Sequence, residues 1–225
     1  MLPSSHSEPL RGHRQCDQCG RVEVSALKLR LCGACMTTEY CSRLCQKIHW
    51  PYHKTICHHT NFEMERSSSD LACDGSSDKN LFKALRKFTS AHGPLLRWAG
   101  FQALQLKAIP GNLTDKALLL ELEYQPLQGP QQFSLCSTQV VPREYISDPI
   151  VNCDIRRRDD RCRQNSGIGV LLVLIQCGQT CQVMPVEVDN PAEIDWDVCE
   201  EWNSILSEYI RQGRKDFCPS WCLGP

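Results

Sequence analysis

In NLFKALRKFTSAH, residues 80–92, Leu81, Phe82, Leu85 and Phe88 recur at helical spacing. This predicts an amphipathic helix stopped by Gly93-Pro94. LLRWAGFQALQLKA predicts a second helix, ended by Pro110-Gly111. The period then changes. In ALLLELEY, Leu118, Leu120, Leu122 and Tyr124 alternate with Glu121 and Glu123, the pattern of a half-buried strand, and QFSLCSTQVV predicts its partner. IGVLLVLI is apolar throughout and β-branched, which predicts a central strand buried on both faces. QVMPVEV follows a short turn containing Gly178, and Pro185 pushes it toward a sheet edge. NPAEIDWDVCEEWNSILSEYI predicts a last helix capped by Asn190, with Pro191 in its first position and Val198, Trp202, Ile205, Leu206 and Tyr209 on the buried face. Two helices, four strands and a helix predict an α+β domain over residues 80–211 with a small, mostly antiparallel sheet.

The first quarter of the chain has no such periodicity and is organised by cysteine instead. Of the 16 cysteines, seven fall in the order Cys16-x2-Cys19, Cys32-x2-Cys35, Cys41-x3-Cys45 and, with one histidine, His53-x3-Cys57. Seven thiols and one imidazole supply two tetrahedral zinc sites. A C-x2-C turn converges two thiolates on one ion at about 2.3 Å. A C-x3-C or H-x3-C pair does so from adjacent helical turns. Cys41, Cys45, His49, His53 and Cys57 keep a four-residue interval. Pro51 predicts a helix break within that run, because it lacks an N–H and restricts the residue before it. On that reading His53 is the eighth ligand, His49 lies on the surface, and His58 and His59 are weaker rivals. From 16 to 57 there are six Lys/Arg against three Asp/Glu. The deficit of negative charge is made good by seven thiolates less two Zn²⁺. A block this short has too little apolar side chain to fold alone, whereas structural zinc contributes on the order of 10–16 kcal/mol per site. With every ligand position filled by protein, both sites are structural and neither is catalytic.

CDQC…CGAC…YCSRLCQKIHWPYHKTIC resembles the MYND zinc finger family, in the Y-C-S-x-x-C-Q run and in the W-x-x-H-K-x-x-C ending. The likeness covers about a fifth of the chain. It implies an interleaved arrangement, with Cys16, Cys19, Cys41 and Cys45 on one zinc and Cys32, Cys35, His53 and Cys57 on the other; spacing alone leaves sequential pairing open. It also implies a binding module for proline-rich peptides, taken up as an added strand. The positions matching the family's peptide contacts are Gln46 and Trp50: Gln46 for the peptide backbone, and Trp50 either for a proline ring or for the finger's own small core.

The remainder of the chain sets limits. Twenty-five Lys/Arg against 26 Asp/Glu give a net charge of −1, so bulk electrostatics gives no reason to expect nucleic-acid or membrane binding. No apolar N-terminal stretch predicts a signal peptide, which points to an intracellular protein of the cytoplasm or nucleus. Residues 58–79 are polar and read as a linker, with a disordered 1–15 and a tail at 212–225. His92 sits at a helix end. RRRDDRCR, residues 156–163, reads as a solvated loop rather than a phosphate-contacting patch. Cys177, Cys181, Cys218 and Cys222 have ligand spacing but read as spare thiols. No phosphate loop, nucleophile elbow or H-E-x-x-H motif occurs. The expected function is an adaptor that binds proteins with proline-rich motifs and is not an enzyme. The rivals are an enzyme with an unfamiliar C-terminal catalytic domain and a nucleic-acid-associated regulator.

Overall fold

The computed structural model describes residues 15–21, 23–24, 26–35, 37–66, 77–125, 132–194 and 196–218. Two short strands, β1 (Arg30–Leu31) and β2 (Glu39–Tyr40), pair antiparallel and lead into the long helix α1 (Arg43–Arg66). After α1 come α2 (Ser77–Ala91), α3 (Gly93–Ala103) and the single turn α4 (Asn112–Asp115). The four strands β3 (Lys116–Tyr124), β4 (Phe133–Pro142), β5 (Gly169–Cys177) and β6 (Thr180–Val188) follow, with α5 (Pro149–Gln164) between β4 and β5, and α6 (Trp202–Gln212) closes the order. The strand order is β4-β3-β5-β6. β3 is antiparallel to β4 and parallel to β5, and β5 is antiparallel to β6. The α+β class, a mostly antiparallel sheet and a central β5 are as the sequence predicts.

The sheet buries both faces. Leu118, Leu120, Leu122, Leu171, Val173 and Ile175 meet α2, α3 and α6 through Leu85, Phe88, Leu96, Trp98, Phe101, Leu206 and Ile210. Ala117, Leu119, Val170, Leu172 and Leu174 face the other way, onto Ile155 of α5 and Ile146. Two-sided burial explains why β3 is buried from Ala117 through Leu120 rather than alternating. α3 lies close on β5: a Cβ at Gly100 would stand 2.8 Å from Leu171 Cδ2.

Three local expectations are corrected. RRRDDRCR is helical, not a loop. Asp148 caps α5 by accepting from the N–H groups of Ile150 (2.8 Å) and Val151 (3.0 Å), and Pro149 takes the first position. Asn190 caps only a 3-10 turn, Pro191–Glu193, and α6 starts nine residues later, which leaves Val198 67% exposed. Helix also runs through Pro51, which is itself exposed. The Lys47 carbonyl it deprives of a partner can turn to water, and the inward-facing Cys45 and His49 before Pro51 and His53 and Cys57 after it keep the helix on one packed face. The stretch read as a linker begins inside α1 and ends inside α2; residues 67–76, like 1–14 and 219–225, lie outside the described residues.

Candidate metal centre

The two C-x2-C knuckles are built by backbone hydrogen bonds. Cys16 N–H donates to the Arg21 carbonyl (2.9 Å), and the Gly20 N–H donates back to the Cys16 carbonyl (2.9 Å). Gly20 sits at φ +68°, a conformation that suits glycine. The Cys32 N–H donates to the Thr38 carbonyl (2.8 Å). Asp17 ties the first knuckle to β2: its N–H donates to the Glu39 carbonyl (2.8 Å), and its Oδ2 accepts from the Glu39 N–H (2.6 Å). Continuous helix then carries Cys45, His49, His53 and Cys57 along one inward face.

These elements gather the eight ligand candidates into two groups. One is Cys16, Cys19, Cys41 and Cys45; the other is Cys32, Cys35, His53 and Cys57; within each, all ligand atoms lie within 4.8 Å of one another. A tetrahedral Zn²⁺ with bonds of about 2.3 Å to sulfur sets its sulfurs about 3.8 Å apart. The structure has Cys19–Cys41 at 3.6 Å, Cys41–Cys45 at 3.5 Å and Cys32–Cys57 at 3.9 Å, with Cys35 Sγ 3.4 Å from His53 Nε2. Size and chemistry fit two structural zinc ions, in the interleaved arrangement rather than the sequential one. The thiols also need a cation. Cys35 is held far below the ordinary thiol range by its hydrogen bond with Cys32, while Cys32 is driven far above it by the same bond. Sulfurs this close do not all ionise without a metal between them.

A second layer holds the second group. His53 turns Nε2 to the sulfurs, and its Nδ1 meets Thr38 Oγ1 at 3.2 Å, an outer partner that fixes ring and tautomer. Thr37 Oγ1 donates to Cys35 Sγ (3.2 Å), and Gln46 Nε2 to Cys32 Sγ (3.7 Å). Sequence reasoning found neither threonine.

His49 is not the surface residue expected. It is 2% exposed, stacked on His53, with Nδ1 2.9 Å from the Tyr40 hydroxyl. Arg157 Nη1 donates to its Nε2, so Nδ1 carries the proton and donates to Tyr40. Burial, reinforced by Arg157, pulls His49 down to about 4 and keeps it neutral.

Arg157 belongs to a cluster that seats the finger on the second domain. Arg158 pairs with both Asp17 and Asp154 (2.8 Å to the latter), Arg161 with Asp17 (3.1 Å) and Glu187, and Arg157 with Asp154 (2.6 Å). Arg161 also donates to the Asp17 carbonyl, and Gln15 Nε2 to Glu187 (2.9 Å). Burial opposes ionisation of Asp154, but Arg158 and Arg157 hold its carboxyl well below the usual range. On the other side, Arg86 of α2 is 1% exposed, rests on the Phe82 ring at 4.4 Å and donates Nη1 to the Ala34 carbonyl inside the second knuckle (3.1 Å). Its Nε and Nη2 have no hydrogen-bond partner among the described residues. Burial draws Arg86 down to about 10 against the pull of the Cys35, Cys57 and Cys32 sulfurs. A zinc held by three thiolates and an imidazole carries a net negative charge, and Arg86 is the cation that answers it. The Asp148-Pro149 cap and the Asp154/Arg158 spacing were the available signals for α5; its long-range partners left none.

Trp50 is 38% exposed, edge-on to His53 (6.0 Å) and 6.0 Å from His58. It is therefore packed partly against His53 and His58 and partly open to solvent. His92 ends α2 as expected: its Nδ1 is 3.0 Å from the Phe88 carbonyl, and burial lowers its pKa, so it acts as a neutral donor. Cys177, Cys181 and Cys218 join no metal group among the described residues, and Cys222 lies outside them. No helix among the described residues is long and apolar enough to cross a membrane.

Residues 16–57 match the family model of the MYND finger. The MYND-type zinc finger protein samB of Aspergillus clavatus is 45% identical over 51 residues, 22% of this chain and 8% of that protein. The MYND-type zinc finger protein MUB1 of Saccharomyces cerevisiae is 35% identical over 71 residues, 31% of this chain and 12% of that protein. The chain thus spans 8% and 12% of the length of these two relatives. No solved structure matches.

Proposed function

We propose that the chain is an intracellular, non-enzymatic adaptor whose MYND finger, a class of module that mediates protein interactions, takes up proline-rich segments of partner proteins beside Trp50. Cys16, Cys19, Cys41 and Cys45 hold one zinc; Cys32, Cys35, His53 and Cys57 hold the other. The finger spans 16–57 and the α+β domain 80–211. The single observation that supports this reading most is the half-presented Trp50 indole, anchored on a ligand imidazole yet open to solvent. A rigid aromatic face is a suitable platform for a proline ring, and a preformed extended peptide loses little entropy on docking. Gln46 directs its amide N–H to Cys32, which leaves its carbonyl oxygen for a peptide N–H.

The test titrates zinc-loaded full-length protein with proline-rich peptides by NMR. Expected are shifts around residues 46–50 and an affinity on the order of micromolar or looser, as a small interface gives. Trp50→Ala should abolish binding with two zinc ions retained, and Gln46→Ala should weaken it by about 0.5–1.5 kcal/mol. Loss of zinc from Trp50→Ala would make the indole a core residue, and shifts confined to 80–211 would overturn the reading.

A further inference from the structure

Beside its ligand face, α1 carries a second one. Arg43, Lys47, Trp50, Lys54 and His58 follow one another at intervals of four, three, four and four residues. At about 100° per residue this confines them to one stripe roughly 80° wide. All five are exposed. From Tyr40 to Phe62 the chain has no Asp or Glu, and none of Arg43, Lys47, Lys54 and His58 makes an ion pair among the described residues. Several arginines elsewhere are matched with carboxylates: Arg143 with Asp159, Arg157 and Arg158 with Asp154, Arg211 with Glu208, Arg214 with Asp216. Around Trp50, Arg43, Lys47 and Lys54 thus flank an exposed indole with no carboxylate paired to them among the described residues.

We infer that the segment bound beside Trp50 is acidic, with carboxylate side chains on both sides of the residue stacked on the indole. The inference rests on the proposed peptide-binding role and specifies its partner. Lys47 and Lys54 stand about 10 Å apart along the helix axis. An extended proline-rich chain advances about 3.1 Å per residue. A peptide lying along α1 therefore reaches both lysines with acidic residues three or four positions apart and the stacking residue between them. Arg43 and His58 extend the same preference outward. A polypeptide fits better than nucleic acid, because the chain's net charge is −1 and this stripe offers one ring rather than a series of stacking platforms.

The test measures fluorescence anisotropy with zinc-loaded full-length protein. Its probes are a neutral proline-rich peptide, the same peptide with Glu at two positions flanking the proline, the same with Lys there, and a single-stranded DNA of equal length. The acidic peptide should bind about three- to tenfold tighter than the neutral one at low salt, the size expected of two exposed ion pairs, and the gap should close in high salt. The Lys peptide should be weakest. The double variant Lys47→Glu/Lys54→Glu should keep two zinc ions and reverse the order of acidic and basic peptides. Equal binding of neutral and acidic peptides, or an acidic preference that survives the double variant, overturns the inference while leaving proline-rich binding standing. No binding by any peptide overturns both. Tighter binding of the DNA than of the acidic peptide overturns the inference in favour of a nucleic-acid surface.

Discussion

Asp17→Asn tests whether the finger and the α+β domain form one cooperative unit. Asp17 is 6% exposed and lies between the first two cysteines, where its carboxylate meets Arg158 and Arg161. With Asp154 and Glu187 it opposes Arg157, Arg158 and Arg161, three carboxylates against three guanidiniums. The amide is nearly isosteric and removes one charge from a balanced cluster. Breaking a buried pair by taking away one partner costs about 3–5 kcal/mol. Arg158 retains Asp154 and Arg161 retains Glu187, so the cost should fall near the low end, about 3 kcal/mol. For a protein of this size that is a melting temperature lower by roughly 6–12 °C. The assay is differential scanning calorimetry at saturating zinc, with zinc content checked by elemental analysis. A single transition moving down as a whole is expected. If only a minor transition moves, or the shift is under about 2 °C, the cluster does not couple the two parts. Replacing both Asp17 and Arg158 by apolar residues should recover much of the loss, since no unpaired charge then remains.

Chelation should release two zinc ions per chain and lower the stability of residues 80–211 as well, because Arg86 loses the Ala34 carbonyl and Arg158 and Arg161 lose Asp17; an unchanged melting temperature for that part counts against the coupling. His53→Ala should lose or weaken one zinc, whereas His49→Ala should keep both but destabilise by about 1–3 kcal/mol through the stranded Tyr40 hydroxyl and Arg157, as elemental analysis and urea titration would show. The folded pKa of Asp154 lies below its ordinary value of 3.8, so its contribution is present above pH 4 or so and fades as pH falls through the folded value. The stability difference between wild type and Asp154→Asn should therefore shrink below that pH, and a constant difference from pH 7 to pH 3 would refute it. Gly100→Ala should cost about 1–3 kcal/mol by overpacking against Leu171, read from the denaturation midpoint.

The ligand pairs were legible because coordination chemistry is local: two residues between cysteines, or three between a histidine and a cysteine, bring their ligand atoms together; which pairs share an ion was not in the spacing, and the interleaved grouping came from the resemblance to the MYND finger. β5 was legible because eight consecutive apolar residues have no stable place but a two-sided core. α5 was not. Its arginines and aspartates look solvated in sequence, and what buries them is Asp17, more than a hundred residues away, and Glu187 on β6. His49 failed for the same reason, since Arg157 lies on a different element. Pro51 misled because a local rule about backbone N–H groups was set against a packed face that continues on both sides of it. Val198 was placed on a helix face that begins only at Trp202.

Because the finger is clamped by Asp17 below α5 and by Ala34 under Arg86, its outward stripe has a fixed bearing on the rest of the molecule. A finger on a slack tether would sweep a volume and meet partners from any direction. This one holds the Trp50 stripe like a bracket screwed to a wall, so a segment bound there, as proposed, would leave along a set line relative to the α+β domain.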